Sequence, residues 1–239
     1  MTAHLDRVKC HFFRTLLNLV FLPAPKINQS HETYRFIEEQ FLSKRRENDL
    51  LVLELPESIS KVNFLVSLEK KHKFLFHGSN QAEIELLNPV SQENYRGEKI
   101  TGVFASGDPI WAMFFAILDR EGYHGSLRNG SFILSYAGGC HERYYFFSIN
   151  EAMVANHPWK TGMVYITPRD SFTQTNTGMM RFDEWASEKP VVPIAKIDIS
   201  PSDFPFLNRV SAHNERESIY LTWLLYKRRL RKAAKTGKL

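Results

Sequence analysis

Three short stretches carry the residue types that chemistry needs: His77-Gly78-Ser79, Gly102-Val103-Phe104-Ala105-Ser106, and Glu184-Trp185-Ala186-Ser187-Glu188. Each alone has an ordinary structural reading, because a His-Gly pair can end a strand, a Phe/Trp-rich helix is commonly core, and a Glu-rich turn is commonly solvated. The better-known signatures do not fit. His72 and His77 have ligand-like spacing but no cysteine pair beside them, and Cys140-His141-Glu142 are too close together to share a tetrahedral site, so no metal centre is expected. Gly125 to Gly130 nearly spells a phosphate-binding loop, but Ser131 stands where its lysine belongs. No G-x-G-x-x-G follows a strand and no G-x-S-x-G elbow occurs.

Elements must then position the three stretches. Residues 1–22 predict a helix with Leu5, Val8, Phe12, Leu16 and Leu19 on one face, ended by Pro23 and Pro25. Ser30 caps a second helix over 31–48, with Tyr34, Ile37 and Phe41 on its apolar side and Lys44, Arg45, Arg46 and Glu47 at its end. Residues 50–55 suit a strand or a short buried element, and 58–72 a helix. Residues 1–70 therefore read as a helical extension, and 71–239 as the main domain. In that domain, Lys73–Phe76 reads as a strand ending at His77, and Thr101–Ala105 as another. Asp108-Pro109 opens a helix over 109–120. The runs 131–136, 143–149, 162–166 and 191–199 read as strands, with Pro193 forcing an edge or entry position, and 214–236 as a terminal amphipathic helix.

In this order and spacing the three stretches resemble the ADP-ribosyltransferase family, in its diphtheria-toxin/poly(ADP-ribose)-polymerase-like branch. The resemblance covers roughly residues 73–200. Phe76-His77-Gly78-Ser79 matches the family's first strand, Val103-Phe104-Ala105 its second, and Phe114, with Phe115 adjacent, the helical aromatic. Glu188 matches the glutamate that precedes a late strand, read here as Lys189–Ile199. Phe104 replaces the usual tyrosine, and Trp111 stands where a small hydroxyl residue is common.

The resemblance implies an α+β fold: a split antiparallel β-sandwich whose two packed sheets form a cleft, with helices at both chain ends. It implies NAD as the co-substrate and mono-ADP-ribosyl transfer as the activity. Breaking the nicotinamide–ribose bond builds positive charge at the anomeric carbon, as in glycoside hydrolysis, and a carboxylate beneath the ribose stabilises that charge. That role goes to Glu188. Asp183 and Glu184 are candidate bases for the acceptor. Gly78 would hold the carboxamide through its backbone, His77 the adenosine ribose, and Phe104 and Phe114 the nicotinamide ring; Ser79 and Phe115 complete the expected NAD set. Residues 167–187, with Gly178, Met179, Met180 and Phe182, resemble the family's target-recognising loop in position. Arg169 and Arg181 are candidates for phosphate contacts. Alternatives are a catalytically inactive module that binds NAD, ADP-ribose or nucleic acid, and an RNA 2′-phosphotransferase drawing on Arg143, Arg169 and Arg181.

Composition narrows the setting. At 43% hydrophobic and 24% charged, the 239 residues suit a globular chain rather than a disordered or fibrous one. No apolar run reaches the ~20 residues of a membrane span. Phe12–Leu22, the nearest, is broken by Arg14 and followed by Pro23 and Pro25 rather than a cleavage site, so neither anchor nor signal peptide is expected. Two cysteines suit a reducing cytoplasm. The net charge of +5 is local: Lys227, Arg228, Arg229, Arg231, Lys232, Lys235 and Lys238 lie in the last 13 residues, and the other 226 carry 24 basic and 26 acidic residues. Such a tail suits a solvated helix end, or leans the acceptor toward RNA or DNA. By analogy with standalone transferases of this size, a toxin or anti-phage effector held by an inhibitory partner protein is the expected context.

Overall fold

Ser30 and Asp108, the two expected caps, each open a helix. In a computed structural model of the chain, Ser30 Oγ accepts the Thr33 N–H at 3.1 Å and Asp108 Oδ1 accepts the Ile110 N–H at 3.1 Å. The structure describes the chain except residues 1, 29, 44–48, 94–97, 137–139, 155, 176–177, 179 and 237–239, and in the first helix it describes side chains from His11 onward. The expectations placed on Lys44 to Glu47, Met179 and Lys238, and on the side chains of Leu5 and Val8, fall outside those residues.

In chain order the elements are α1 (Thr2–Val20), β1 (Leu22–Pro23), α2 (His31–Phe36, continuing as wider π-type turns over Ile37–Leu42), β2 (Leu51–Val52), α3 (Lys61–His72), β3 (Leu75–Ser79), β4 (Val90–Glu93), β5 (Lys99–Ser106) and α4 (Pro109–Ile117). There follow β6 (Leu127–Tyr136), β7 (Cys140–Asn150), α5 (Glu151–Val154), β8 (Gly162–Thr167), β9 (Thr173–Gln174), β10 (Met180–Phe182), β11 (Glu184–Ser187), β12 (Ala195–Ile199), β13 (Ser211–His213) and α6 (Ile219–Thr236). The strands form two sheets. One runs β1-β7-β6-β10, with β13 also on β7; the other runs β2-β12-β8-β3-β5-β11-β9, with β4 on β5. Pairing is antiparallel except β2 with β12 and β13 with β7. The chain is thus mixed α+β with mainly antiparallel sheets.

Helix α4 explains how the sheets pack. Eight of its nine residues are buried, and a helix apolar all round must lie inside the protein. One side rests on β3 and β8 so closely that Cβ atoms at Gly78 and Gly162 would come within 1.9 Å of Ala112 O and 2.0 Å of Ala116 O. On its other side Phe114 packs on Phe147 of β7, with ring centroids 4.8 Å apart.

Residues 1–70 are mainly helical, as expected, but they are not a separate layer. Leu22 of β1 pairs with Tyr145, Leu51 of β2 pairs with Ala195, and Phe21 meets Phe132 edge-on at 4.8 Å. The expected apolar face of α1 is corrected. Leu17 is buried with Phe13 and Val20 beside it, whereas Phe12, Leu16 and Leu19 are 63%, 46% and 67% exposed. Ile37 and Phe41 are fully buried, as the periodicity requires. The late strand expected over 191–199 begins only at Ala195, and Val191 bridges Leu87 instead. Pro190 and Pro193 carry no N–H for a ladder.

Candidate active site

The two sheets are tied at Asp183, where the chain leaves β10 in one sheet and enters β11 in the other. Its N–H donates to Ser131 O at 3.1 Å, and its carbonyl accepts the Ser106 hydroxyl at 2.7 Å. Its carboxylate lies 2.7 Å from Arg143 Nη1 and accepts the Trp185 indole N–H at 3.0 Å. Asp108 sits on the same guanidinium at 3.6 Å and accepts the Tyr145 hydroxyl at 3.1 Å. Burial pushes the Asp108 carboxyl up, Arg143 opposing it. Burial alone would lower Arg143, but the two carboxylates override it and raise the guanidinium. Asp183, expected as an acceptor base, is instead a buried structural ion-pair member.

Glu184 is therefore the first residue on the second sheet, and its position is fixed through its neighbour. In register, Glu184 faces Ser106 and Ala186 faces Phe104, so these four side chains share one face of the β5–β11 pair. Trp185 and Ala105 turn to the other face, into a small cluster with Leu75, Val103 and Phe172. The Thr175 hydroxyl lies 3.0 Å from Glu184 Oε1 and 3.1 Å from its backbone O.

A gap opens beside this face. All of Leu75–Ser79 pairs with β8, but on β5 only Phe76 has a register partner, Ser106. The expectation that the strand stops before His77 is corrected: His77-Gly78-Ser79 is strand, and β5 is what diverges. The His77 side chain spans the divergence, with Nδ1 2.7 Å from Phe104 O. A carbonyl only accepts, so Nδ1 carries the proton and Nε2 is left as an acceptor. Burial lowers the imidazole's pKa and keeps it neutral, the bond to Phe104 notwithstanding.

A cavity of about 420 Å³ occupies the gap, within the range of small-molecule sites. His77, Gly78, Phe104, Phe115 and Glu184 line it. Sequence reasoning did not assign Arg120, Gln92 or Asn129, which also line it, or place Trp111 there. Trp111 Nε1 donates to Asn129 Oδ1 at 2.5 Å, joining α4 to β6 across the sheets. The chain offers no local signal for Asn129, whereas the tryptophan at an unusual position was visible.

Three expected site residues are not among those lining the cavity. Phe114 is fully buried against Phe147 and Phe204, and its neighbour Phe115 takes the cleft-facing position, since successive helical residues point about 100° apart. Glu188 is exposed beyond the end of β11. Ser79 Oγ accepts the Gln81 N–H at 3.1 Å. Gly78 is present, but its small size serves the approach of α4. Arg181 donates to Ser135 at 3.3 Å, and Arg169 stacks 4.2 Å over Trp185 on the face opposite Glu184.

Among the described residues no group of three or more His, Cys, Asp or Glu could hold a metal ion, and no helix is long and apolar enough to cross a membrane. No family model, no curated protein and no solved structure matches the chain.

Proposed function

We propose that the chain is a mono-ADP-ribosyltransferase with the split β-sandwich of that family, using NAD and leaning toward RNA or DNA as acceptor. The observation that carries this reading is the convergence of His77 and Gly78 from β3, Phe104 from β5, Phe115 from α4 and Glu184 from β11 on one cavity where β3 and β5 part. The donor set suits a nicotinamide nucleotide: rings for a planar base, a neutral imidazole acceptor for a ribose hydroxyl, and one carboxylate. The chemistry is cleavage of the nicotinamide–ribose bond, whose electron pair leaves with nicotinamide, and attack on the same carbon by an acceptor that gives up its proton.

Glu184, rather than Glu188, has the catalytic role in this reading. Its carboxylate accepts a ribose hydroxyl and stabilises the developing positive charge, and Thr175 with the Asp183–Arg143 pair keeps it aimed. Phe104 and Phe115 orient the leaving ring, and His77 accepts a hydrogen bond through Nε2. The exposed Arg228, Arg231 and Lys235 of α6 support a polyanionic acceptor. Exposed Phe12, Leu16 and Leu19 on α1, with Tyr220 and Leu224 on α6, support a partner protein that covers and restrains the enzyme. Two cysteines fit a cytoplasmic setting without a membrane. A 2′-phosphotransferase is less well supported, because it needs several cations at the site and Arg120 is the one arginine or lysine among the described lining residues.

Incubating the chain with NAD labelled in its adenylate, and with separate RNA, DNA and protein pools, tests the reading. Glu184→Gln should cut transfer by about 10²–10³-fold, the scale for losing one transition-state contact, while Glu188→Gln stays within about twofold. Binding of NAD without transfer or hydrolysis would favour the inactive module. Loss of activity in Glu188→Gln with Glu184→Gln intact would overturn the assignment.

A further inference from the structure

Resting on that reading, we infer that Arg120 is the contact for the diphosphate of the donor, so that the cavity selects phosphate-bearing nucleotides over nucleosides. Arg120 lines the cavity and has no carboxylate ion-pair partner among the described residues. Nearby Lys160 is taken by Asp119 at 2.7 Å. A cation that lines a largely apolar cleft and has no carboxylate partner there matches an anionic ligand group.

Its placement is built rather than incidental. Asn80, the residue after β3, holds both sides of the turn: its Nδ2 donates to Ala116 O at 2.6 Å and its Oδ1 accepts the Arg120 N–H at 3.0 Å. The guanidinium carbon lies 5.9 Å from the centroid of Phe115, the ring assigned to the departing base. The backbone is thus tied to the residue after β3, and the side chain of this exposed residue lies beside the Phe115 ring that lines the cleft.

The position along the cleft also fits. Glu184 faces Ser106, just before the N-terminus of α4, whereas Arg120 follows its C-terminus. Nine helical residues at 1.5 Å each separate the two ends by about 13 Å. A carboxylate at one end and a long side chain reaching inward from the other leave room for a ribose, then phosphate.

Calorimetric titration of the full chain with NAD, ADP-ribose and nicotinamide riboside tests this. Arg120→Gln should weaken NAD and ADP-ribose by about 10- to 100-fold, the scale of a charged hydrogen bond, and leave nicotinamide riboside within about twofold. Arg120→Lys should recover part of the loss, because the charge is kept and the fork is not. Equal weakening of all three ligands would mean a merely structural role, and unchanged NAD affinity would place the diphosphate elsewhere; either overturns the inference while leaving the transferase reading standing. If the unmodified chain binds none of the three, the transferase reading falls and this inference with it.

Discussion

Gly78→Ala is the substitution whose cost the structure sets most directly. The new Cβ would lie 1.9 Å from Ala112 O, 2.8 Å from Ala116 N and 2.9 Å from Ala112 C, all main-chain atoms of α4 that no rotamer change can move. Restoring contact near 3.5 Å requires the helix to withdraw by roughly 1.5 Å. Overpacking costs 1–3 kcal/mol where side chains can yield, so the expected loss is about 3 kcal/mol or more, a sizeable part of a typical 5–15 kcal/mol. The withdrawal would carry Trp111, Ala112 and Phe115 with it, so NAD binding should weaken even in the molecules that stay folded. Gly102→Ala, also in a strand, is the control. Its Cβ would meet Ser187 O at 3.2 Å and only side chains at 3.8 Å, so it should cost under 1 kcal/mol. Urea unfolding of the two variants beside the unmodified chain gives the comparison. Gly78→Ala costing no more than Gly102→Ala would mean that α4 does not lie on β3 as described, and the cavity would lose its wall.

Removing Arg143 as Arg143→Met would leave Asp108 and Asp183, 3% and 7% exposed, without their shared cation, so about 3–5 kcal/mol of stability should be lost in urea. A loss under 1 kcal/mol would show that the sheets are not tied there. His213 is buried beside Ser126 and Ser148 and faces Arg128, Arg229, Glu215 and Glu217; burial, with Arg128 next, lowers its pKa to about 4. The unfolded chain then takes up a proton near pH 6.5 that the folded one refuses, so stability is complete above that pH and falls toward 4, by about 2 kcal/mol between pH 7 and 5. His72, His77 and His141 are shifted in the same direction, so the measurement is the difference in slope between the unmodified chain and His213→Gln; parallel slopes would dismiss the assignment. On α6, truncation from residue 227 would strip Leu230 from the core and Arg229 from its two-pronged pair with Glu217 at 2.6 Å. The sharper variant is Arg228, Arg231 and Lys235 to Gln together, which should flatten the salt dependence of single-stranded RNA binding by about 2 in log–log slope. An unchanged slope would remove α6 from the acceptor site.

What was legible in the chain, and what was not, follows from which contacts are local. His77-Gly78-Ser79 could be singled out because a triplet of unlike chemistry needs no partner to be noticed, and Asp108-Pro109 because a cap acts on the residues beside it. The choice between Glu184 and Glu188 depended on where the strand lies. Reading Lys189–Ile199 as that strand favoured Glu188, but the prolines at 190 and 193 leave a ladder only from Ala195, and the four residues of β11 are too few to show an alternation. The resemblance favours Phe114 over Phe115, and nothing local corrects it, because an apolar helix between two sheets has no polar face to set its phase. Helix α1 fails for the opposite reason. It carries two apolar stripes, and the buried one, Phe13–Leu17–Val20, is selected by distant partners: Leu22 pairs with β7, and Phe21 packs on Phe132 of β6 and Trp223 of α6. Arg120 and Asn129 reach the cavity from α4's far end and from the other sheet. Their roles arise from Asn80 and Trp111, residues 40 and 18 positions away, so the pairs become visible only once both sheets close on α4.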